Sequence, residues 1–544
     1  MQGLMMDQPL LITSIMQFAE RHHGNREIVA VTADNPRHRY TYRAAFARTR
    51  RLANALAALG LQPGDRVATL AWNDHRHFEL YYAISCSGAV CHTINQRLFP
   101  AQIEFIIRHA ADRVLFVDPM FVPLVERLGP ALAGVAARVV LTDRAHMPAA
   151  AAPDWLCYED LLAEQSADFA WPTLDEQTAS ALCYTSGTTG EPKGVLFSHR
   201  STVLHSYAVC LPDVMALHES DCIMPLVPMF HVNAWGVPYA APLVGAKLVL
   251  PGPAMADGAQ LHDLITTEKV NYALGVPTIW LALLAYLDAH GLQVPTLDRV
   301  CVGGAACPAS IIERFGADYD VEVFHAWGMT EMSPVGTFNH GTAATDSWPA
   351  ERRAAHRLRQ GRSLFGVDMR IVDAAGAELP WDGTTVGALQ VRGPWVARAY
   401  YRAPQSCLTA DGWFDTGDVA NIDPQGFMLI TDRSKDVIKS GGEWISSIAL
   451  ENTAVNHPDV AEAAVIGRAH PKWDERPLLV VVPAAGADVS RSDLLDWYQG
   501  KVAKWWIPDD VAVVDELPHT ATGKIDKKAL REQFADYRFP AVRD

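Results

Sequence analysis

Between Tyr42 and Leu59 apolar residues recur at helical spacing, and the run stops at GLQPGD (60–65), a Pro-Gly turn. Arg66–Ala71 then reads as a short buried strand. The same helix–turn–strand order returns around Ala101–Phe116 and again around Gln260–Gly275. Helices alternating with short apolar strands predict an α/β fold with largely parallel sheets. From about Gly366 the pattern changes. VDMRIVD (367–373), GALQVRG (387–393) and GFMLITD (426–432) alternate apolar and polar positions between Asp/Gly turns, which predicts a small β-rich subdomain over 366–431. After Asp432 a charged, Gly-containing stretch leads into a compact α/β pattern. The predicted division is 1–431 and 432–544, the second segment being large enough to fold as a unit. The first 23 residues hold Asp7 and no basic leader, so a leading arm and a first helix are expected rather than a signal peptide.

Composition narrows the classes. Hydrophobic residues at 49% and charged residues at 20% are ordinary globular usage and exclude disorder of the whole chain. Lys and Arg total 46 against 62 Asp and Glu, a net charge of −16. That balance excludes a broad nucleic-acid or polybasic membrane surface but allows a local knot of cations around a phosphate. The nine cysteines form no CxxC pair, which points to reduced, mostly buried thiols rather than a disulfide framework or zinc cluster. No stretch approaches the ~18 apolar residues that cross a bilayer. A cytoplasmic protein without stable membrane insertion is expected, and a homodimer is allowed.

The strongest chemical signal is YTSGTTGEPKGV (184–195), preceded by strand-like Ala181–Cys183. A strand running into Ser, Thr and Gly offers backbone N–H groups and hydroxyls to an anion, and glycines let the backbone come close. Lys193 adds a mobile positive charge. The Walker pattern GxxxxGK[ST] is not met, because the fifth residue after Gly187 is Pro192. Composition alone leaves a flexible surface loop as the alternative.

The string resembles the signature loop of the acyl-adenylate-forming superfamily, which holds acyl-CoA synthetases, adenylation domains of peptide synthetases and luciferases. Further motifs similar to that superfamily's follow in order: PMFHVNAW (228–235), VGGAACP (302–308), HAWGMTE (325–331), FDTGDV (414–419), DRSKDVIKSGGEWIS (432–446) and PHTATGKIDKK (518–528). The resemblance implies a large N-terminal domain of packed α/β subdomains, a small β-rich subdomain and a mobile α/β C-terminal domain. It also implies a two-step reaction. A carboxylate and ATP give acyl-AMP and pyrophosphate, and coenzyme A then displaces AMP, with Mg2+ compensating phosphate charge.

The same resemblance assigns roles. Lys524 is the adenylation lysine, placed where two anions meet and where electrostatic stabilisation counts most; Glu331 and His231 join it as catalytic. ATP and AMP are expected at Thr185, Ser186, Gly187, Thr188, Thr189, Gly190 and Lys193, and at Gly303, Gly304 and Ala305. They are also expected at His325, Ala326, Trp327, Gly328, Met329 and Thr330, with Asp418 and Arg433 at the ribose. Trp327 can stack on a base; the family more often has tyrosine there, so a hydroxyl contact is not expected. Asp418 is read in a Gly turn, where a carboxylate can accept both ribose hydroxyls. Thr185 and Glu331 are the magnesium ligands. His231, Val232, Trp235, Val302 and Gly328 form the acyl pocket, with Trp235 as a gate. Lys439, Ser440, Gly441, Gly442, Glu443 and Trp444 serve coenzyme A after rotation about the hinge Asp432.

The surroundings of His231–Trp235 are apolar and hold no cation for a charged side group, which favours a neutral aliphatic acid. KWWIPDDV (504–511) is similar to medium-chain and short sulfur-acid members. Medium-chain acids come first, with long-chain, methylthio-alkanoic and aromatic acids behind. An adenylating enzyme that does not use coenzyme A, a luciferase-like oxidase and a non-catalytic nucleotide sensor are the rivals. The chain ends FPAVRD without a peroxisomal SKL address, and a GxSxG hydrolase motif is missing. Arg352, Arg353, Arg357, Arg359 and Arg362 crowd one segment, read as a solvated helix face, with a coenzyme A or partner-subunit contact as the alternative.

Overall fold

The computed structural model describes residues 1, 3–185, 191–433, 435–440, 443–484, 486–520 and 525–539, without the side chains of Glu443 and Trp444. The expected helices and strands form where periodicity placed them. The Tyr42–Leu59 pattern becomes the helix Tyr42–Ala58, capped by Thr41, whose side chain accepts the Ala44 N–H; the strand Arg66–Leu70 follows. The arm is followed by a helix, Ile12–His22, that buries Ile12, Ile15, Met16 and Ala19 on one stripe.

Two large sheets carry the N-terminal part. In the first, of seven strands, Arg66–Leu70 pairs in parallel with both Val90–Thr93 and Asp112–Val117. Ala179–Thr185 lies next to Val90–Thr93, and Lys193–Ser198 returns antiparallel beside it, so Thr185 sits opposite Lys193 at the mouth of the 186–192 connection. In the second, of nine strands, Cys222–Pro225, Tyr272–Gly275, Arg299–Val302 and Glu322–Gly328 run parallel side by side. Their carboxyl ends line up, with Gly275 opposite Val302 and Val302 opposite His325. Open parallel sheets bind ligands in the crevice outside the carboxyl ends of their strands.

The β-rich subdomain is a four-stranded antiparallel sheet of Asp368–Val372, Gly387–Arg392, Phe414–Ile422 and Met428–Arg433. Here one expectation is corrected: FDTGDV lies inside the strand Phe414–Ile422 and not in a turn. Gly417 has a φ of 70°, and a register shift in the pairing with Gly387–Arg392 absorbs it as a bulge, while Asp418 stands opposite Arg433 on the other side.

A separate five-stranded sheet follows, with Val460–His470 and Asp474–Pro483 as its long antiparallel pair. Its faces alternate residue by residue. Val465, Leu479 and Val481 pack with Ile438, Ile445, Leu450 and Tyr498 on one side; Ala464, Ile466, Leu478 and Val480 pack with Leu517 and Leu530 on the other. All nine cysteines are free thiols, seven of them buried. Among the described residues no helix is long and apolar enough to cross a membrane.

The arginine cluster divides. Arg352 lies over the Trp348 ring on the short exposed helix Ala350–His356. Arg359 instead donates to Asn421 Oδ1 and the Phe427 carbonyl, and Arg362 pairs with Asp213. The solvated-face reading therefore holds for the helix and fails at Arg359, which is tied to the β-rich subdomain.

Candidate active site

Three motifs far apart in the chain meet at Asp418. The Trp327 indole Nε1–H donates to Asp418 Oδ2 at 3.1 Å, and Arg433 Nε lies 2.7 Å from Asp418 Oδ1. The carboxylate is 1% exposed, so these donors hold it in one plane with little help from water. Trp327 is fixed in turn by Gly336: a Cβ there would stand 2.8 Å from the indole ring. His325, two residues earlier on the same strand, is buried, and burial pushes its imidazole down to about 4 against the opposing Leu358 and Ala305 backbone. It is therefore neutral at pH 7. Gly328 ends the strand with its Cα against the Pro334 carbonyl; a Cβ would fall 2.0 Å from that oxygen.

A second group joins the strand Lys193–Ser198 to Glu331. Tyr400 O–H donates to Glu331 Oε1 at 2.8 Å, and Lys193 Nζ lies 5.0 Å from the centre of the Tyr400 ring. Backbone bonds from Tyr401 N to Gly194 O (2.7 Å) and from Ala397 N to Glu331 O (2.7 Å) fasten the 397–401 segment across both. Burial and the Glu331 charge raise the Tyr400 phenol far above its ordinary range, so it stays a donor to the carboxylate. Thr185 is half-buried beside this group, Met329 is half-buried, and Ala326 and Thr330 are buried.

The PMFHVNAW motif takes an unusual backbone. Val232, Asn233, Ala234 and Trp235 all have φ between 47° and 55°, and Gly236 has 81°, a left-handed turn that His231 opens. Asparagine tolerates this region better than most residues. The Asn233 side chain anchors the turn, its Oδ1 accepting from Tyr81 O–H at 3.3 Å and Cys183 S–H at 3.5 Å. The turn delivers Trp235 against the adjoining strand end, where a Cβ on Gly303 would stand 2.8 Å from the tip of the indole. Gly304 and Ala305 continue from there, and Val302 is buried just before. The expected acyl and adenine segments thus share a wall.

Asp432 is buried at the end of the strand Met428–Arg433. Its Oδ2 accepts the Ser447 N–H at 2.6 Å and its Oδ1 the Arg433 N–H at 2.7 Å, which binds the strand end to the helix Ser447–Val455. Burial raises its carboxyl, with Lys527 opposing. Lys439 and Ser440 lie on Ile438–Ser440, paired with Glu443–Ile445, and their hydrogen bonds run to Glu475 and Arg476 rather than to the Asp418 group. Ser186, Gly187, Thr188, Thr189, Gly190, Gly441, Gly442 and Lys524 lie outside the described residues, as do the side chains of Glu443 and Trp444.

Sequence reasoning missed Tyr400, Asn233, Tyr81 and Cys183. Asn233 and Cys183 stood inside or beside quoted motifs, and an asparagine amid apolar residues was the available signal. Tyr81 and Tyr400 carry no local mark.

Residues 16–401 match the family model described as AMP-binding enzyme, and residues 449–524 match AMP-binding enzyme C-terminal domain. The chain is 53% identical over 536 residues to a 3-methylmercaptopropionyl-CoA ligase of Ruegeria lacuscaerulensis, covering 98% of this chain and 99% of the relative. It is 49% identical to a medium-chain-fatty-acid–CoA ligase of Ectopseudomonas oleovorans, covering 98% of each. Among solved structures, an anthranilate CoA ligase in complex with anthranoyl-AMP superposes with a TM-score of 0.87 at 25% identity, covering 98% of this chain and 99% of that one.

Proposed function

The chain belongs to the AMP-binding enzyme family, and from that premise we propose that it is an AMP-forming ligase joining a neutral aliphatic acid, foremost a medium-chain one, to coenzyme A. The observation that carries the reading is the junction of two sites. Trp327, Asp418 and Arg433 meet at a corner that suits a nucleoside, and Gly303, just past the end of the strand next to that of Trp327, meets Trp235 of an apolar wall.

In the first step a carboxylate oxygen of the acid attacks the α-phosphorus of ATP. The bond to the bridging oxygen breaks, and pyrophosphate leaves with the electron pair. Asp418 accepts the ribose hydroxyls, Trp327 stacks on the base, and Lys193 and Lys524 offset the charge of the reacting anions. Glu331 and Thr185 supply hard oxygen donors of the kind magnesium takes, and the ion would neutralise phosphate charge there. In the second step the thiolate of coenzyme A attacks the acyl carbon, and AMP leaves to give the thioester. Lys439 and Ser440 serve this step, after the 432–544 domain turns about Asp432. The setting is the cytoplasm.

A methylthio-alkanoic acid is the second reading, favoured by the 53% identity to the Ruegeria ligase. AMP release measured across straight-chain C2 to C16 acids, with 3-methylthiopropionate and benzoate included, decides between them; a maximum on an aromatic acid would refute both. Lys524→Ala should abolish acyl-AMP formation and spare thioester formation from supplied acyl-AMP. Equal loss of both steps would refute the two-step assignment.

A further inference from the structure

Among the described residues, the hairpin of Ile438–Ser440 and Glu443–Ile445 is joined to the rest of its sheet by a single register pair, Ser440 with Asp474. So short a ladder leaves side chains the task of fixing the hairpin's pose: Ile438 and Ile445 anchor it in the core, and the rest of the hold is polar. Two consecutive residues of Asp474–Pro483 provide it. Glu475 Oε2 accepts the backbone N–H of Lys439 at 2.9 Å, and Arg476 Nη1 donates to Ser440 Oγ at 3.2 Å. Adjacent residues of a strand project to opposite faces, so neighbouring positions of the hairpin are held by side chains of different orientation.

Both holders are themselves confined. A Cβ on Gly467 would lie 3.0 Å from Glu475 Oε2, so the glycine leaves the space that carboxylate occupies. Arg476 is buried, and its remaining donors reach the Trp505 carbonyl at 2.7 Å, the Ile507 carbonyl at 3.1 Å and Asp509 Oδ1 at 2.8 Å. A planar guanidinium with acceptors on several sides fixes their mutual geometry, as a lysine ammonium does not. Lys439, by contrast, is exposed.

We propose that Glu475 and Arg476 are positioning residues for the thiol step: they set the Lys439–Ser440 strand in place and couple it to the 505–509 segment. The proposal rests on the reading above that gives Lys439 to coenzyme A. Neither residue has a part in acyl-AMP formation.

The test uses the full-length enzyme and separates the half-reactions: pyrophosphate release from acid and ATP, and thioester formation from supplied acyl-AMP and coenzyme A. Glu475→Ala and Arg476→Lys are expected to lower the thioester kcat roughly 10- to 100-fold, the scale of a displaced catalytic group, with pyrophosphate release unchanged. Glu475→Gln, which keeps an acceptor for the Lys439 N–H, should recover most of the rate. Equal loss in both half-reactions would mean that the residues merely hold the domain together, and would overturn the proposal. Lys439→Ala separates the two levels. If it slows the thioester step while Glu475→Ala and Arg476→Lys do not, the positioning proposal alone falls. If Lys439→Ala and Glu475→Ala both leave that step unchanged, the underlying assignment of Lys439 falls, and the proposal with it.

Discussion

Trp327→Phe removes one donor and leaves a ring in place, which isolates the bond on which the proposed nucleotide corner depends. Nε1 of Trp327 is 3.1 Å from Asp418 Oδ2, and the carboxylate is 1% exposed, so water is poorly placed to substitute. A hydrogen bond to a charged group contributes about 1.5–3 kcal/mol. With 1.4 kcal/mol per factor of ten, that range sets a ceiling of roughly 10- to 150-fold on the change in nucleotide affinity, because the bond is already present in the free protein. Arg433 still pairs with Oδ1 at 2.7 Å and holds the carboxylate from its other side, which argues for the lower end, about tenfold. Pyrophosphate exchange at saturating acid, with ATP and with 2′-deoxy-ATP, gives the KM of each. The variant should raise the KM for ATP and narrow its advantage over the deoxy nucleotide, because a misaligned Asp418 no longer rewards the hydroxyl. An unchanged KM with unchanged discrimination would refute the assignment of Asp418 to the ribose.

Arg48→Met strands a buried charge. Glu79 takes Arg48 Nε at 2.7 Å and Tyr158 O–H at 2.7 Å inside the core, so urea unfolding should show a loss of about 3–5 kcal/mol; a loss below about 1 kcal/mol would place the pair in effective contact with water. His205 is buried with Nε2 accepting the Val335 N–H, and burial pushes it from 6.5 down to about 3. The unfolded chain takes up that proton first, so this contribution to stability is complete above about pH 6.5 and is lost as pH falls towards 3. His205→Gln should flatten the stability–pH slope between about pH 4 and 6 by up to one proton, and parallel profiles would contradict it. Gly303→Ala puts a methyl 2.8 Å from the Trp235 ring tip and 3.1 Å from the Ala326 carbonyl, so the indole must move. Its acyl chain-length profile should change as that of Trp235→Ala does, and a profile matching the unaltered enzyme would remove Trp235 from the acyl wall.

Local signals carried the elements well. The Tyr42–Leu59 periodicity, the strand after GLQPGD and the alternating strands beyond Gly366 all formed, because each rests on which face is buried. The FDTGDV segment was misread because Gly and Asp favour turns in isolation. Pairing with Gly387–Arg392 and Met428–Arg433 draws them into a bulged strand, and those pairings lie beyond the segment itself. The helix His75–Cys86 shows the same limit in another form. Its HRHFEL start looks solvent-facing, yet every residue is buried, since Arg76 finds Asp34 and Glu159, and Glu79 finds Arg48. The motif residues Trp327, Glu331, Asp418 and Arg433 stood out in the sequence; Tyr400 and Gly336, which meet Glu331 and Trp327, did not, because nothing in the neighbouring sequence announces a contact made between separate segments.

The left-handed turn at Val232–Gly236 has a consequence for engineering. Each residue there other than glycine or asparagine carries about 1–2 kcal/mol of steric cost, so Val232, Ala234 and Trp235 hold roughly 3–6 kcal/mol, close to a whole domain's net stability of about 5–15 kcal/mol. The rest of the fold must outweigh that load to keep Trp235 where it is. A selection for heat resistance alone would therefore be drawn to this turn, where Ala234→Gly relieves strain at once. The survivors would tolerate higher temperatures and discriminate poorly among acids.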